Sequence, residues 1–140
     1  MSKPGEILDR ERLFLAVDEG WLASHQEEAI DPDLPIIDPH HHLWDRSSRY
    51  LLDEVVADVS GGHNVLATVF VQCEEMYRVG GDPNLAPVGE TEFANGVAAM
   101  SASGKYGSTR ICAGIVGAAE LRLGARVDAV LEAHLRAGGG

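Results

Sequence analysis

Three consecutive histidines stand in the segment IIDPHHHLWD, which covers residues 36–45. Side chains alternate between the two faces of an extended strand, so His40 and His42 project together and His41 projects opposite. Two imidazoles on one face can bind the same metal ion at Zn–N distances of ~2.0–2.1 Å. The spacing therefore predicts His40 and His42 as ligands of a divalent metal ion. We assign His41 to the core or to a structural hydrogen bond.

Two residues near the second apolar run are candidates for substrate contacts. Gln72 ends the run at residues 64–72, and Arg78 lies in the loop that follows it. An amide at a strand end can bind a carbonyl or carboxylate, and a guanidinium can pair with a carboxylate through two parallel hydrogen bonds. We therefore predict Gln72 and Arg78 as substrate-binding residues. Their structural alternatives are capping of the next turn for Gln72 and solvation for Arg78.

The other chemistry-bearing side chains are assigned structural roles. Glu90 and Glu92 follow a glycine at a predicted helix start, where carboxylates interact favourably with the helix dipole. Cys73 and Cys112 match neither a zinc-binding spacing nor a disulfide framework, so we expect reduced thiols. The remaining histidines lie in helical or glycine-turn contexts and are expected to be structural or exposed: His25, His63 and His134.

Strand-like and helix-like segments alternate three times along the chain. Apolar runs at residues 35–42, 64–72 and 109–117 are each followed by helical periodicity, at residues 50–60, 90–103 and 126–140. Short, uniformly apolar strands are typical of a parallel sheet buried on both faces and connected by right-handed crossovers. The predicted fold class is therefore α/β. The histidine pair lies at the carboxyl end of the first strand, where such folds build their sites.

The length of the chain bounds the architecture. It has 140 residues, whereas a closed (β/α)₈ barrel needs ~250. Three parallel strands alone form a narrow sheet with two unprotected edges. We therefore predict that residues 35–140 are about three βα units, the N-terminal part of a (β/α)₈ TIM barrel. A complete three-stranded domain is the alternative. A helical pattern from Glu6 to about Ala29 precedes them, so residues 1–34 are predicted to be a helical extension.

The composition excludes several classes of partner. The chain has 22 acidic and 11 basic side chains, a formal net charge of -11, and no cluster of Lys and Arg. A surface that follows nucleic-acid phosphates is therefore not expected. No apolar stretch approaches the ~20 residues that span a bilayer, and the N-terminal segment lacks the apolar core of a signal peptide. With reduced cysteines, these features predict a cytoplasmic protein without nucleic-acid or membrane partners.

The segment IIDPHHHLWD resembles the first-strand signature of the amidohydrolase superfamily. The resemblance is to the amidohydrolase-related branch, which includes lactonases of sugar acids and of pyrone dicarboxylate. That branch opens with Asp-x-His-x-His followed by an aromatic residue and Asp, matched here by Asp38, His40, His42, Trp44 and Asp45. Three later segments resemble the same branch: ATVFVQCEEMYR, PVGETEFANGVAAMSASGKYG and CAGIVGAAEL. Relatives often carry a histidine after GIVG, where this chain has Ala118.

The resemblance implies a metal-dependent hydrolase on a distorted (β/α)₈ barrel. His40 and His42 match the first-strand ligands of a divalent ion, usually zinc; in some lactonases of the branch these histidines contact substrate instead. Further ligands come from later strands, and an Asp at the end of strand eight acts as general base. These have no counterpart in the 140 residues. The implied reaction is attack of a metal-activated water on a lactone, ester or amide carbonyl of a small molecule.

Three functions are therefore to be distinguished. The first is a hydrolase of the amidohydrolase type, for which we expect the 140-residue chain alone to be inactive. The second is a metal-dependent phosphoesterase of the polymerase-and-histidinol-phosphatase kind, which also opens with His-x-His and needs basic groups at strand ends. The third is a non-catalytic small α/β protein whose open sheet edges bind a ligand or a partner chain, including a homo-oligomer.

Overall fold

The computed structural model of the chain describes residues 18–25, 27–46 and 48–139. Strands in this part are β1 (Ile36–His41), β2 (Trp44–Asp45), β3 (Arg49–Tyr50), β4 (Val65–Val71) and β5 (Arg110–Val116). The α-helices in the same part are α1 (Glu19–Ala23), α2 (Leu52–Val59), α3 (Val88–Ala102) and α4 (Val127–Ala137). Short 3₁₀ helices precede α3 and α4, at Pro83–Leu85 and Leu121–Arg126.

The three long strands form one parallel sheet in the order β1–β4–β5. α2 lies in the connection between β1 and β4, and α3 lies in the connection between β4 and β5. The strand order does not reverse, as it would in a doubly wound sheet. β2 and β3 form a separate antiparallel hairpin within the first connection, where the Trp44 and Tyr50 rings are 5.7 Å apart. The predicted α/β class with a parallel sheet is confirmed.

The helices of both connections pack against one face of this sheet. Phe70 of β4 is fully buried there, and burying such a side chain contributes about 1.5–3 kcal/mol. On α2, Leu52 and Val55 are three residues apart, which places both on the face turned to the sheet. The buried core consists of Leu43, Leu52, Val55, Phe70, Ala94, Val97, Ile111 and Cys112.

The opposite face of the sheet is only partly covered. Val69 and Val71 alternate along β4 with the buried Thr68 and Phe70, so they project from this opposite face, where they are half-buried. Val116, which pairs with Val71, is 50% exposed. The prediction of strands buried on both faces is therefore wrong for the described residues. Their helices cover one face and leave an apolar face partly open.

Two helix boundaries differ from the sequence prediction. A helix from Glu6 to about Ala29 is predicted, but the described part of this region is helical only over Glu19–Ala23; residues 6–17 lie outside the described residues. The Ser24 hydroxyl and N–H both bond to the Trp21 carbonyl, which closes the helix early. α3 begins at Val88 rather than residue 90. No helix in the described part of the chain is long and apolar enough to cross a lipid bilayer.

Candidate metal centre

His40 and His42 meet at the carboxyl end of β1. Their Nε2 atoms are 3.2 Å apart, and their ring planes are nearly perpendicular, at 85°. His40 is exposed, whereas His42 is half-buried. The Asp38 carboxylate accepts the backbone N–H of His40 at 3.0 Å and so orders the chain at this point. The structure brings the two side chains together as their spacing requires; their role as metal ligands stays a prediction.

A carbonyl of the neighbouring strand fixes the orientation of His42. Nδ1 of His42 lies 2.7 Å from the carbonyl oxygen of Val71. Because a carbonyl only accepts hydrogen bonds, Nδ1 carries the proton and donates it, which leaves the Nε2 lone pair of the neutral ring directed at His40. Ligand histidines in proteins are commonly oriented by such a bond from the second ring nitrogen.

The separation of the two nitrogen atoms fits a zinc ion between them. Two Zn–N bonds of ~2.0–2.1 Å at the tetrahedral angle end on nitrogen atoms about 3.3–3.4 Å apart. The observed distance between the Nε2 atoms is 3.2 Å. The described residues contain no group of three or more His, Cys, Asp or Glu side chains placed to hold a metal ion. Within them the candidate site therefore has two protein ligands, where catalytic zinc ions take three and a water.

His41 lies on the face of the sheet that the helices cover. It is 8% exposed, its Nε2 atom is 2.8 Å from the Thr68 hydroxyl, and its ring packs edge-on against Phe70. Burial lowers the pKa of His41, which favours the neutral ring. These contacts match the structural role that strand alternation predicts for this residue.

Thr68 joins His41 to a distortion of β5. Cys112 has a φ of +54°, in the left-handed region that side chains with a Cβ rarely adopt. Its N–H donates to the Thr68 hydroxyl at 3.0 Å, and the pairing of β4 with β5 shifts register at this point. The side chain of Thr68 therefore takes the place of a backbone partner at this irregularity between β4 and β5, and the same hydroxyl contacts His41 of β1.

Glu90 binds the segment that follows β4, residues 72–78, which we name the rim loop. Its Oε1 atom accepts the N–H groups of Cys73 and Glu75, both at 2.9 Å. Glu74, between them, has a φ of +65°, and this turns both N–H groups toward one oxygen. Glu90 is 1% exposed, and its Oε2 atom has no hydrogen-bond partner within the described residues.

Arg46 holds the rim loop from the other side. Its guanidinium donates to the carbonyl of Cys73 and to the carboxylate of Glu75, both at 2.6 Å. Gly89 allows α3 to approach the loop closely, because a Cβ there would lie 2.6 Å from the carbonyl oxygen of Met76. The rim loop is therefore clamped between the start of α3 and the segment after β2.

The two predicted substrate-binding residues lie at opposite ends of the rim loop. Gln72 is its first residue, directly after Val71, and its N–H donates to the Val116 carbonyl at 2.9 Å. Arg78 is its last residue, and its guanidinium donates two hydrogen bonds to Glu92, at 3.0 and 2.5 Å. This pairing raises the pKa of Arg78 and lowers the pKa of Glu92. The backbone of Gln72 thus lies next to the Val71 carbonyl that binds His42, whereas the guanidinium of Arg78 is paired with Glu92.

The remaining histidines have the structural or exposed settings expected of them. His25 is exposed and contacts the Trp21 carbonyl through Nδ1 at 3.1 Å. His63 is exposed in the turn before β4. His134 is held by both ring nitrogens, Nδ1 at 2.8 Å from the Thr91 hydroxyl and Nε2 at 2.9 Å from the Ala118 carbonyl.

Both cysteines are free thiols, as predicted. Burial, together with the charge of Glu90, raises the pKa of Cys73 to about 11. Burial alone raises the pKa of Cys112 to about 12. Both side chains therefore remain protonated at neutral pH, and neither has the low pKa of a reactive thiol.

A cavity of about 580 Å³ lies away from the histidine pair, between β5, α3 and α4. Ile115, Leu131 and Leu135 supply apolar parts of its lining, and the ring of His134 supplies a polar one. Both nitrogens of that ring are already bonded within the protein. The cavity and the histidine pair are therefore separate features of the described residues.

No protein-family model, curated protein or solved structure matches the chain. The amidohydrolase resemblance accordingly depends on the sequence motifs alone.

The structure places three residues around this site for which the sequence predicted no role in it: Arg46, Thr68 and Glu90. Glu90 carries the same local signal as Glu92, a carboxylate in the first turn of a helix, and only the tertiary contacts separate the buried residue from the exposed one. Arg46 lies in a loop sequence and Thr68 in a strand sequence without distinguishing features, so their contacts could not be predicted from the sequence.

Proposed function

We propose that this chain is the first part of an amidohydrolase-related hydrolase and that His40 and His42 bind its divalent metal ion, with zinc as the expected metal. The observation that carries the proposal is the 3.2 Å approach of the two Nε2 atoms at the carboxyl end of β1. The Nδ1–H bond from His42 to Val71 supports it, because it leaves the nitrogen that faces His40 free to act as a ligand.

The finer part of the fold proposal is that the sheet belongs to a (β/α)₈ barrel. Three features support it. The parallel strands follow chain order, the core helices lie on one face, and the other face is apolar and partly open. In the described residues, β1 and β5 are edge strands. A barrel buries such a face inside and pairs both edges with further strands.

Five residues at this edge of the sheet have roles in the proposed hydrolase: His40, His42, Val71, Gln72 and Arg78. A bound divalent ion would supply a water of lowered pKa and polarise the substrate carbonyl. His40 and His42 hold that ion through Nε2, and Val71 keeps His42 in the required tautomer. The amide of Gln72 binds a carbonyl or carboxylate oxygen of the substrate. Arg78 binds a substrate carboxylate by exchanging its present partner, Glu92.

Metal binding is tested on the 140-residue chain by calorimetric titration with zinc at neutral pH. We expect one zinc ion per chain for the wild type. His40→Ala and His42→Ala should each weaken binding by at least about tenfold, because each removes one of two ligands. His63→Ala is the matched control, since His63 is exposed before the amino end of β4. Equal zinc affinity in all four proteins would refute the metal site.

Catalysis is tested on the product of the complete reading frame that contains this chain. We expect it to hydrolyse lactones, and we expect His40→Ala and His42→Ala to lower turnover by at least about 10²-fold, as removal of a transition-state contact does. The His63→Ala variant should keep wild-type turnover. Unchanged lactone turnover in the two ligand variants would refute the assignment.

The same measurements separate the two alternatives. A phosphoesterase needs cationic groups that bind phosphate. Arg46 and Arg78 are paired with Glu75 and Glu92, so phosphate would have to displace one of these carboxylates, the same exchange that a substrate carboxylate requires at Arg78. Cleavage of aryl phosphates without hydrolysis of lactones would nevertheless favour the phosphoesterase. The third alternative is a non-catalytic protein that binds a ligand or partner chain, and the unpaired edges of β1 and β5 in the described residues are compatible with it. A folded oligomer of the chain that binds no zinc and hydrolyses neither substrate would favour that non-catalytic binding protein.

A further inference from the structure

We propose that Glu90 is a positioning residue, whose carboxylate holds the rim loop in the conformation in which the Val71 carbonyl orients His42. The effect on zinc affinity rests on the proposed function, whereas the effect on the His42 ring does not. Glu90 does not touch the proposed metal position, so its action is exerted through the backbone of the rim loop.

The contacts form a continuous path from Glu90 to His42. Nδ1 of His42 donates to the carbonyl of Val71 at 2.7 Å. The N–H of the same peptide group belongs to Gln72 and donates to the Val116 carbonyl of β5 at 2.9 Å. The next N–H, of Cys73, donates to Glu90 at 2.9 Å. The peptide group that orients His42 is therefore held by β5, and the peptide group after it is held by Glu90.

The rim loop has a backbone conformation that depends on contacts such as these. Glu74 and Met76 have φ values of +65° and +53°, in the left-handed region that non-glycine residues rarely adopt. Such conformations persist only where surrounding contacts maintain them. Glu90 bonds the N–H groups on both sides of Glu74. Removing this acceptor therefore allows the loop to relax at the point next to the peptide group that orients His42.

The role needs an acceptor rather than a charge. Oε1 of Glu90 accepts both backbone N–H groups of the loop, whereas Oε2 accepts no backbone N–H of the described residues. A glutamine amide oxygen can accept the same two N–H groups, so Glu90→Gln should preserve the loop. A leucine side chain has no acceptor and leaves both N–H groups unpaired. Comparing these two variants separates the hydrogen bonds from the negative charge.

The experiment measures two properties of His42. The first is its tautomer in the metal-free chain, from the ¹⁵N chemical shifts of the ring nitrogens at a pH where the ring is neutral. The second is the affinity of the chain for zinc. The variants are Glu90→Leu and Glu90→Gln. The matched control is Glu132→Leu, because Glu132 is an exposed glutamate of α4 whose carboxylate pairs with Arg136.

We expect the wild type, Glu90→Gln and Glu132→Leu to hold His42 as the Nδ1–H tautomer with equal zinc affinity. Glu90→Leu should give a mixture of the two tautomers and bind zinc about tenfold more weakly, the smaller end of the effect of losing a residue that orients a ligand. A residue that only stabilises the fold would lower the melting temperature and leave both readouts of the folded chain unchanged.

The outcomes decide between the two proposals. Wild-type tautomer and zinc affinity in Glu90→Leu would overturn the positioning role, as would equal loss in Glu90→Gln and Glu90→Leu. Mixed tautomers in Glu90→Leu, with no zinc binding by the wild type, would support positioning and refute the metal site. If Glu90→Leu does not fold, Glu90→Met takes its place, because methionine also lacks the oxygen acceptor and its more flexible side chain adapts better to the buried site. Mixed tautomers in Glu90→Met support the role, and the wild-type tautomer overturns it.

Discussion

Replacement of Thr68 by valine tests whether a side-chain hydroxyl or side-chain volume maintains the sheet beneath the histidine pair. Thr68 has no exposed surface, and its hydroxyl contacts the Cys112 N–H at 3.0 Å and the Nε2 atom of His41 at 2.8 Å. The backbone N–H of Cys112 can only donate, so the Thr68 hydroxyl accepts from it and donates its own hydrogen bond to Nε2 of His41. Valine has almost the same shape and cannot form either bond.

The expected cost follows from these two contacts. Leaving a buried donor or acceptor unpaired costs about 1–3 kcal/mol. Thr68→Val leaves the Cys112 N–H unpaired and leaves His41 Nε2 with only the weaker contact to the Cys112 thiol, at 3.8 Å. We therefore expect Thr68→Val to lower the free energy of unfolding by about 2–4 kcal/mol. Thr68→Ser keeps the hydroxyl and removes one buried methyl group, which costs about 0.5–1.5 kcal/mol. The serine variant should therefore be the more stable of the two.

The assay is urea unfolding of the 140-residue chain, followed by far-ultraviolet circular dichroism. Changes in the midpoint at constant slope report changes in the free energy of unfolding. If packing volume determined the stability of this site, the order would be reversed, because valine conserves the volume and serine does not. A Thr68→Val variant at least as stable as Thr68→Ser would refute the hydrogen-bonding account.

Four further predictions concern two glycines and the two thiols. Gly96→Ala should stabilise the chain by about 0.5–1 kcal/mol, because the site is an exposed position of α3 where a Cβ meets nothing within 4 Å. Gly117→Ala should destabilise it by about 1–3 kcal/mol, because its Cβ would lie 2.8 Å from Nδ1 of His134; equal melting temperatures would contradict both. Burial raises the pKa of Cys73 to about 11 and that of Cys112 to about 12, from an ordinary 9.0. Because the thiolate is the form that reacts, alkylation below pH 9 should be slower in the folded chain than in the unfolded chain by about a hundredfold or more. The raised pKa values also mean that the folded state binds these protons more tightly, and stability should fall as the pH rises above 9; a urea midpoint that stays constant there would contradict this.

Periodicity in the sequence determined the elements of the sheet. The predicted strands at residues 64–72 and 109–117 differ from β4 (Val65–Val71) and β5 (Arg110–Val116) by one residue at each end. It also determined that His40 and His42 share a side. These features follow from alternation and sterics within a few residues, which the sequence displays directly.

Other features depend on partners that are distant in the chain. The Val71 carbonyl that orients His42 is 29 residues away, and the Thr68 hydroxyl that accepts the Cys112 N–H is 44 residues away. Which of these residues meet is set by the register of strand pairing, and local periodicity in the sequence carries no information about that register. The partly open face of the sheet likewise depends on which helices pack against it, and the apolar strands alone indicated burial on both faces.

Glu90 and Glu92 show the division most clearly. The sequence determined that both carboxylates lie near the start of a helix, because that placement depends on local propensity and the helix dipole. Only the tertiary structure decided that Glu90 is buried beneath the rim loop and Glu92 is exposed beside Arg78. The physical reason is that burial depends on which neighbouring segment approaches the helix. Here the approach of the rim loop requires Gly89 and places two backbone N–H groups against one carboxylate oxygen.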